Sequence, residues 1–325
     1  MAPAPGNSSQ PMPPIRIRKM TEMDLGEADR VTRLAFGTFL KLPDPMTFMG
    51  ETDYIRTRWR ADPDAAFVAH SGDELVGSVF VTNWGSVGFF GPLTVRPDYW
   101  DQGVARLLME PVLECFSGWK TRHAGLFTFS TSPKHLGLYQ RYGFWPRFLT
   151  AILSRPVSGA GEKPHYALLS ESRKEESNKT ITACRQLTEK ILGGLDLRRE
   201  IEAVRDQLLG ETVLIFEKNE LAAFAVCHFG PGTEAGKDIC YIKFAAVSPS
   251  ADAPKYFDRL IRACCSLAEK KNLSRLTAGV NLSRQEAYHQ LLEMGFRIDT
   301  LGVAMQRPNE AGYNHPGIFL LDDWR

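Results

Sequence analysis

The stretch that decides the fold is FFGPLTVRPDYWDQGVARLL, residues 89–108. Its apolar beginning predicts a buried strand from Phe89 to Val95, and a polar turn follows at residues 97–98. A helix then opens at about Gly103. Because the first turn of a helix has N–H groups without intrahelical partners and carries partial positive charge, we expect this turn to bind a pyrophosphate.

The residues predicted to hold this anion lie between the turn and the first turn of the helix. Gly103 and Ala105 are small, so phosphate oxygens can approach the main chain closely. We call this segment the anion cradle, and it consists of Asp101, Gln102, Gly103, Val104, Ala105 and Arg106.

A second informative stretch is SPKHLGLYQRYGF, residues 132–144. Tyr139 lies in a predicted short helix that ends before Gly143 and Phe144. A tyrosine hydroxyl at such a place can donate a proton to a departing thiolate. The alternative is that Tyr139 only packs its ring on the helix face, with Gly143 as a helix C-cap.

Together these segments resemble the GNAT superfamily of acetyl-CoA-dependent N-acetyltransferases. The cradle fits the pattern Gln/Arg-x-x-Gly-x-Gly/Ala except at its first position, which holds Trp100. The later segment fits Tyr-x-x-x-Gly-Phe. The resemblance implies acetyl-CoA as the co-substrate and Tyr139 as the group that protonates the CoA thiolate. It also implies that the pantetheine arm pairs with the main chain of Leu93, Thr94 and Val95, where Pro92 predicts a strand bulge.

Matching residues recur at a separation of 152 positions along the chain. The pairs are Val95 and Val247, Pro97 and Pro249, Leu108 and Leu260, Gly143-Phe144 and Gly295-Phe296, and Arg155-Pro156 and Arg307-Pro308. The second half is therefore predicted to be a copy of the first.

This copy lacks the predicted chemistry. At the same offset, Gly103 and Ala105 become Lys255 and Phe257, and Tyr139 becomes Leu291. Tyr288, one helical turn earlier, is an alternative proton donor in the second half.

We accordingly predict an α/β (α+β) protein with two tandem GNAT-like domains, each a mixed, mostly antiparallel twisted sheet flanked by helices. The predicted divisions are a disordered proline-rich tail (1–14), a catalytic domain (15–170), a charged linker (171–179) and a degenerate domain (180–325). The length of 325 residues suits two domains.

Composition restricts the partners. The net charge is +1, which gives no general reason to bind nucleic acid, and no run of about 18 apolar residues predicts a membrane span. Six cysteines without C-x-x-C spacing indicate reduced thiols in a cytoplasmic protein without a metal. We expect a monomer or homodimer whose partner is a small-molecule or peptide amine.

Three further segments allow more than one interpretation. Arg56, Arg58 and Arg60 indicate either a solvated helix face or a nucleic-acid patch. Apolar residues within 39–49 line an acceptor pocket or form a small satellite core. The glycine-rich segment 230–238 is predicted to be an exposed loop.

The predicted reaction is direct attack of an amine on the thioester, whose carbonyl is polarised by a main-chain N–H near Leu93. No carboxylate in SVGFFGPL offers a general base. Ser130, Asn83 and Glu51 are possible partners of a water chain, and none is assigned as the base. Small amines, aminoglycosides and protein N-termini or lysines all remain possible acceptors. The alternatives are a non-catalytic acyl-CoA sensor or protein-interaction module, and an enzyme with both halves active.

Overall fold

A computed structural model describes residues 13–157 and 164–325. The predicted tail, residues 1–14, therefore lies outside the described residues except for its last two positions. The helices of the described chain are α1 Leu25–Phe39, α2 Tyr54–Ala61, α3 Val104–Gly118, α4 Pro133–Gln140, α5 Lys174–Ile191, α6 Arg198–Asp206, α7 Ala253–Lys270 and α8 Gln285–Glu293. The strands are β1 Ile15–Lys19, β2 Ala66–Ser71, β3 Glu74–Trp84, β4 Val87–Val95, β5 His123–Thr128, β6 Trp145–Pro156, β7 Ala167–Leu168, β8 Gly210–Glu217, β9 Glu220–Gly230, β10 Gly236–Val247, β11 Arg275–Asn281, β12 Arg297–Arg307 and β13 Leu320–Leu321.

All of these strands belong to one sheet, in the order β1-β2-β3-β4-β5-β12-β6-β11-β10-β9-β8-β7, with β13 added beside β10. Only the pairs β4–β5 and β10–β11 are parallel among the described strands. The predicted fold class, a mixed and mostly antiparallel α/β fold with flanking helices, is thus confirmed. The two halves, residues 15–170 and 180–325, nevertheless share a single continuous sheet instead of having one sheet each.

The centre of the sheet is built by an exchange of strands between the halves. β12, from the second half, lies between β5 and β6, and β6, from the first half, lies between β12 and β11. Val303 faces Thr128 in the β12–β5 pair, and the residues 152 positions away, Ala151 and Val280, face each other in the β6–β11 pair. Thr150 faces Gly302, its own counterpart at this offset. A shift of 152 positions therefore converts the β12–β5 pairing into the β6–β11 pairing and leaves the β6–β12 pairing unchanged.

The two faces of β4 pack against different parts of the protein. Phe90 belongs to the core beneath α3, whereas Phe89 belongs to a core that includes Trp84 and residues of α5 and α6. The bulge predicted from Pro92 is confirmed, because the β3–β4 register shifts between Val79 and Val81. β4 is therefore a strand with one helical layer on each side and a local irregularity in its middle.

The predicted linker is not a separate connection. Residues 174–179 form the beginning of α5, which buries Ile181, Cys184 and Leu187 against the sheet. The prediction of a linker depended on the charged residues of 171–179, but the apolar positions that anchor this helix come later in it. A helix therefore begins within the predicted linker.

A buried group of charges joins the halves. Arg58 of α2 lies 2.9 Å from the Glu234 carboxylate, measured from its Nε to Oε1, and its side chain is 6% exposed. Lys243 Nζ lies 2.9 Å from both Glu234 Oε1 and Glu200 Oε1. Both interpretations of Arg58 as a surface residue are wrong, because its side chain is buried. The prediction that 230–238 is an exposed loop is confirmed for residues 231–232 and 237–238 but is wrong for residues 233–236, which are buried. Because buried charges are tolerated only when paired, these four side chains act as a unit.

The pKa of Glu200 predicts an acid sensitivity of folding. Burial is the largest influence on this pKa and would raise it, but the Lys243 ammonium and His228 together outweigh burial, and the pKa falls from 4.5 to about 2. A carboxylate with a lowered pKa stabilises the fold above its unfolded pKa, and this stabilisation is lost as pH falls towards the folded value. We expect the free energy of unfolding to drop by on the order of 3 kcal/mol from this group between about pH 5 and pH 2.

Denaturant unfolding at a series of pH values checks this expectation. The difference in stability between the parent and Glu200→Gln should shrink as pH falls through this window. Glu202→Gln, on the more exposed side of the same helix, is the control and should follow the parent at every pH. Parallel acid profiles for the parent and Glu200→Gln would contradict the expectation.

Candidate functional site

The site predicted from the sequence lies where β4 separates from β5. The two strands pair only at Val87–Phe89 with His123–Gly125. Beyond the bulge, Leu93, Thr94 and Val95 pair with β3 on one side, and no strand of the described chain pairs with them on the other. Since a strand edge without a partner presents free N–H and C=O groups, this segment can accept an added extended chain.

The open edge is held from behind by side chains. Thr94 Oγ1 lies 3.0 Å from Ser78 Oγ and 3.3 Å from Thr32 Oγ1, so a hydroxyl cluster links β4 to β3 and α1. Leu93 and Val95 pack into the core beneath α3. The segment is therefore fixed before any ligand arrives.

The anion cradle has the conformation that its sequence predicts. Gly103 is the N-cap of α3 with φ of +82°, and a Cβ placed there would meet no atom within 4 Å. The Gly103 carbonyl accepts the N–H groups of Arg106 and Leu107. Within the described chain, the N–H groups of Gly103, Val104 and Ala105 have no acceptor. Open space beside three free donors fits a phosphate group.

Trp100 leaves this space open. Its Nε1 donates to the Val95 carbonyl at 2.7 Å, so the indole fastens the end of β4 to the turn. Lys134, at the start of α4, lies 2.7 Å from the Asp101 carboxylate and 5.8 Å from the centre of the Trp100 ring. Sequence reasoning missed this cation, because its proximity to the cradle depends on how α3 and α4 pack.

Tyr139 lies on the same side of the sheet as the cradle. Its ring is 5.6 Å from that of Phe90, at 68°, and Phe90 immediately precedes the bulge. The side chain is buried, which raises the pKa of its hydroxyl well above the ordinary value. Because of this raised pKa, the hydroxyl stays protonated. No hydrogen bond within the described residues occupies it, so it is free to donate. Gly143 has φ of +80°, consistent with the C-cap that the alternative interpretation also expected.

The residues considered as partners of a base do not come together. Asn83 lines a cavity between the halves with Glu200 and His228, whereas Glu51 lines a different pocket beside α1. Ser130 lies in the turn after β5. The geometry therefore does not select one of the three.

The second half shows the same strand edge filled by the protein's own chain. Ala245, Ala246 and Val247 are the counterparts of Leu93, Thr94 and Val95, and Leu321 and Leu320 of β13 face the first two. The Val247 N–H donates to the Phe319 carbonyl at 3.0 Å. We call residues 318–325 the strap. It lies where an added chain would lie on β4.

The strap is anchored by residues that replace those of the first half. Phe257, the counterpart of Ala105, is fully buried, and its ring lies 5.3 Å from that of Phe319. Arg284, the counterpart of Ser132, donates to the Leu320 carbonyl at 2.8 Å and to the Asp322 carboxylate at 2.5 Å. Bulk and charge thus close the groove that small residues leave open in the first half.

Past β13, the strap crosses into the first half. Trp324 stacks on Phe89 of β4 with ring centres 6.5 Å apart. It also fills the space over Gly125 of β5, where a Cβ would come within 2.3 Å of the indole. The strap therefore covers the β4–β5 pair just before the strands separate.

Three further properties of the described chain concern metals, cysteines and membranes. Its His, Cys, Asp and Glu side chains form no group of three or more that could hold a metal ion. All six cysteines are free, and five are buried. None of its helices combines the length and the apolar character that a membrane span requires.

Comparison with known proteins agrees with this geometry. Residues 34–144, about a third of the chain, match the Acetyltransferase (GNAT) family. No curated protein matches the chain. Among solved structures, a putative acetyltransferase from Pyrococcus horikoshii has a TM-score of 0.65 at 14% identity, with 97% of this chain and 96% of that chain covered.

Two further solved structures share the fold over most of the chain. A GCN5-related N-acetyltransferase from Sphaerobacter thermophilus has a TM-score of 0.56 at 11% identity, covering 90% of this chain and 95% of that one. The N-myristoyltransferase of Saccharomyces cerevisiae has a TM-score of 0.61 at 12% identity, covering 94% and 82%. At these identities the structures show the fold, and the match over residues 34–144 supports the predicted enzyme class, an acyltransferase.

Proposed function

We propose that the first half is an N-acetyltransferase that transfers an acetyl group from acetyl-CoA to a primary amine. The observation that carries this proposal is the unpaired edge of β4, which leads directly to an open, glycine-capped helix N-terminus. The filled edge of β10 supports it, because β13 shows that the equivalent position in this fold accepts an added chain through main-chain hydrogen bonds.

The residues of the first half suit each part of acetyl-CoA. Leu93, Thr94 and Val95 would bind the pantetheine arm through their main chain, and residues 101–106 would bind the pyrophosphate. Lys134 adds a cation beside the cradle. It supplies a polar donor that the family pattern places at the position of Trp100, where Gln or Arg is usual. Acetyl-CoA supplies the activated acyl carbon as a thioester. Every other requirement falls on the protein.

A few chemical groups of the first half would carry out the proposed acetyl transfer. The main-chain N–H near Leu93 polarises the thioester carbonyl, the amine nitrogen forms a bond to the acyl carbon, and the carbon–sulfur bond breaks. Tyr139 gives its hydroxyl proton to the departing sulfur, and the proton that the nitrogen loses after the carbon–nitrogen bond forms restores the hydroxyl. The raised pKa of Tyr139 means that the hydroxyl is protonated before the reaction. The proton of the attacking ammonium leaves by a base that we do not assign. The acceptor is a small-molecule or peptide amine.

The second half, in this proposal, is a degenerate copy that binds no acetyl-CoA. Three observations support it: the strap on the β10 edge, Phe257 in place of Ala105, and Leu291 in place of Tyr139. We keep 15–170 and 180–325 as the limits of the two tandem domains. Strand β12 nevertheless completes the sheet of the first domain, so the two are not independent folding units.

The alternative to an enzyme is a non-catalytic acyl-CoA sensor. It would use the same open edge and cradle, and Tyr139 would only pack against Phe90. Turnover of the thioester separates the two, because a sensor releases no CoA thiol.

Titration calorimetry with acetyl-CoA tests the proposed site. We expect one site per chain, abolished by Gly103→Glu, because a carboxylate in the cradle repels pyrophosphate and a side chain at positive φ is strained. Lys255→Glu changes the counterpart position and is the matched control, expected to bind as the parent does. Two sites in the parent, or loss of binding in the control, would contradict the assignment of the second half.

Thiol release from acetyl-CoA, measured with small amines, aminoglycosides and peptides, tests Tyr139. We expect Tyr139→Phe to lower kcat by roughly 10²- to 10⁴-fold while acetyl-CoA affinity stays within about threefold, since only the proton donor is removed. Tyr288→Phe, in the second half, should leave kcat unchanged. Equal kcat in Tyr139→Phe and the parent would reduce Tyr139 to a packing role.

A further inference from the structure

Arg58 is a buried cation beside the β4 bulge, and it binds both halves of the protein. Its Nε and Nη2 donate to the two oxygens of Glu234, at 2.9 and 3.2 Å. Nη1 donates to the main-chain carbonyl of Gly91, and Nη2 also donates to that of Arg325. The planar guanidinium thus fixes three separate segments relative to one another.

The bond to Gly91 acts on the part of β4 that the proposed reaction uses. Gly91 and Pro92 form the bulge, where the ladder to β3 is interrupted and Pro92 has no N–H to give. The first N–H after this interruption belongs to Leu93, which lies at the proposed position of the thioester carbonyl. An anchor on the Gly91 carbonyl therefore sets the direction of the following peptide groups.

Glu234 connects this anchor to the second half. Lys243, which also binds Glu234, is the counterpart of Gly91 and lies where the β9–β10 register shifts between Ile242 and Phe244. One carboxylate therefore holds the bulge of each half, through Arg58 on one side and Lys243 on the other.

The loop that carries Glu234 is itself tied to the first half. The Asp53 N–H donates to the Thr233 carbonyl at 2.9 Å, and the Gly232 N–H donates to the Glu51 carbonyl at 3.3 Å. These main-chain bonds place Glu234 beside α2 independently of the ion pair. The carboxylate is thus delivered to Arg58 by a fixed loop.

We propose that Arg58 is a positioning residue for acetyl transfer, which holds the β4 bulge in place through the Gly91 carbonyl. Glu234 of the second half in turn holds Arg58 in place. This proposal rests on the proposed function of the first half. It also gives the second half a definite role, because transfer in the first half then depends on a carboxylate that only the second half supplies.

The experiment uses full-length variants Arg58→Lys, Glu234→Gln and the double variant Arg58→Met/Glu234→Met. The double variant removes both charges together, so it leaves neither one buried without its partner, and Lys243 keeps Glu200. We expect kcat for acetyl transfer to fall by roughly 10- to 100-fold in Arg58→Lys and in the double variant, because a small displacement of reacting groups is enough for such a loss. Affinity for acetyl-CoA should stay within about threefold, since the cradle is unchanged.

Arg56→Met is the matched control. Arg56 lies two positions away on α2, is exposed and pairs with Asp53 at the N-cap of the same helix, so the control should keep the kcat of the parent. Glu234→Asp, which keeps the charge, should recover part of the kcat that Glu234→Gln loses. A double variant that melts as the parent does and keeps kcat within about twofold would overturn the proposal.

Hydrogen exchange of peptides covering residues 87–95 gives a readout that needs no turnover. We expect faster exchange in Arg58→Lys and in the double variant than in the parent and Arg56→Met. Unchanged exchange in this segment would overturn the positioning role. A parent that transfers no acetyl group to any amine would instead refute the proposed function, while the exchange result still decides whether Arg58 holds the bulge.

Discussion

The pairing of β12 with β5 is the constraint on which the rest of this structure depends. β5 has β4 beside it for three residues only, so most of its hydrogen-bonding groups must be satisfied by a strand of the second half. The reciprocal pairing of β6 with β11 satisfies the second half in the same way. This exchange forces the halves into one sheet and brings the strap and the Glu234 loop against the first half.

From this common scaffold the two halves reach opposite outcomes through a few side chains. Gly91 and Ala105 leave a strand edge and a helix end open, whereas Lys243 and Phe257 fill the matching places. The backbone geometry is shared, since β4 and β10 each contain a bulge and each separate from a parallel neighbour, β5 and β11 respectively. The volume of the side chains along β4 and β10 therefore determines which half keeps space for a ligand. The buried charges between the halves let the closed half hold the open half in place.

Much of this arrangement is readable from the sequence, where local chemistry determines it. The β4 strand, the Pro92 bulge, the Gly103 turn and the repeat at 152 positions all depend on residues close in sequence or on turns with fixed requirements. The burial of Arg58 and Glu234 is not readable, because their partnership spans 176 residues, and a charged side chain has the same local pattern whether it faces water or a buried carboxylate. The position of β12 could not be predicted either, because the residues of a strand do not specify which neighbouring strand it pairs with.

The insertion of β12 also has a consequence for how the chain is made. During synthesis, residues 123–128 emerge long before residues 297–307, so β5 waits for its partner with an exposed edge while the second half is still being added. Contacts of such long range form slowly, and an open strand edge is a template for pairing with another chain. Two nascent chains that exchange β12 would make the same hydrogen bonds between molecules, so the long separation of β5 from β12 in the chain makes domain swapping the characteristic misassembly for this architecture.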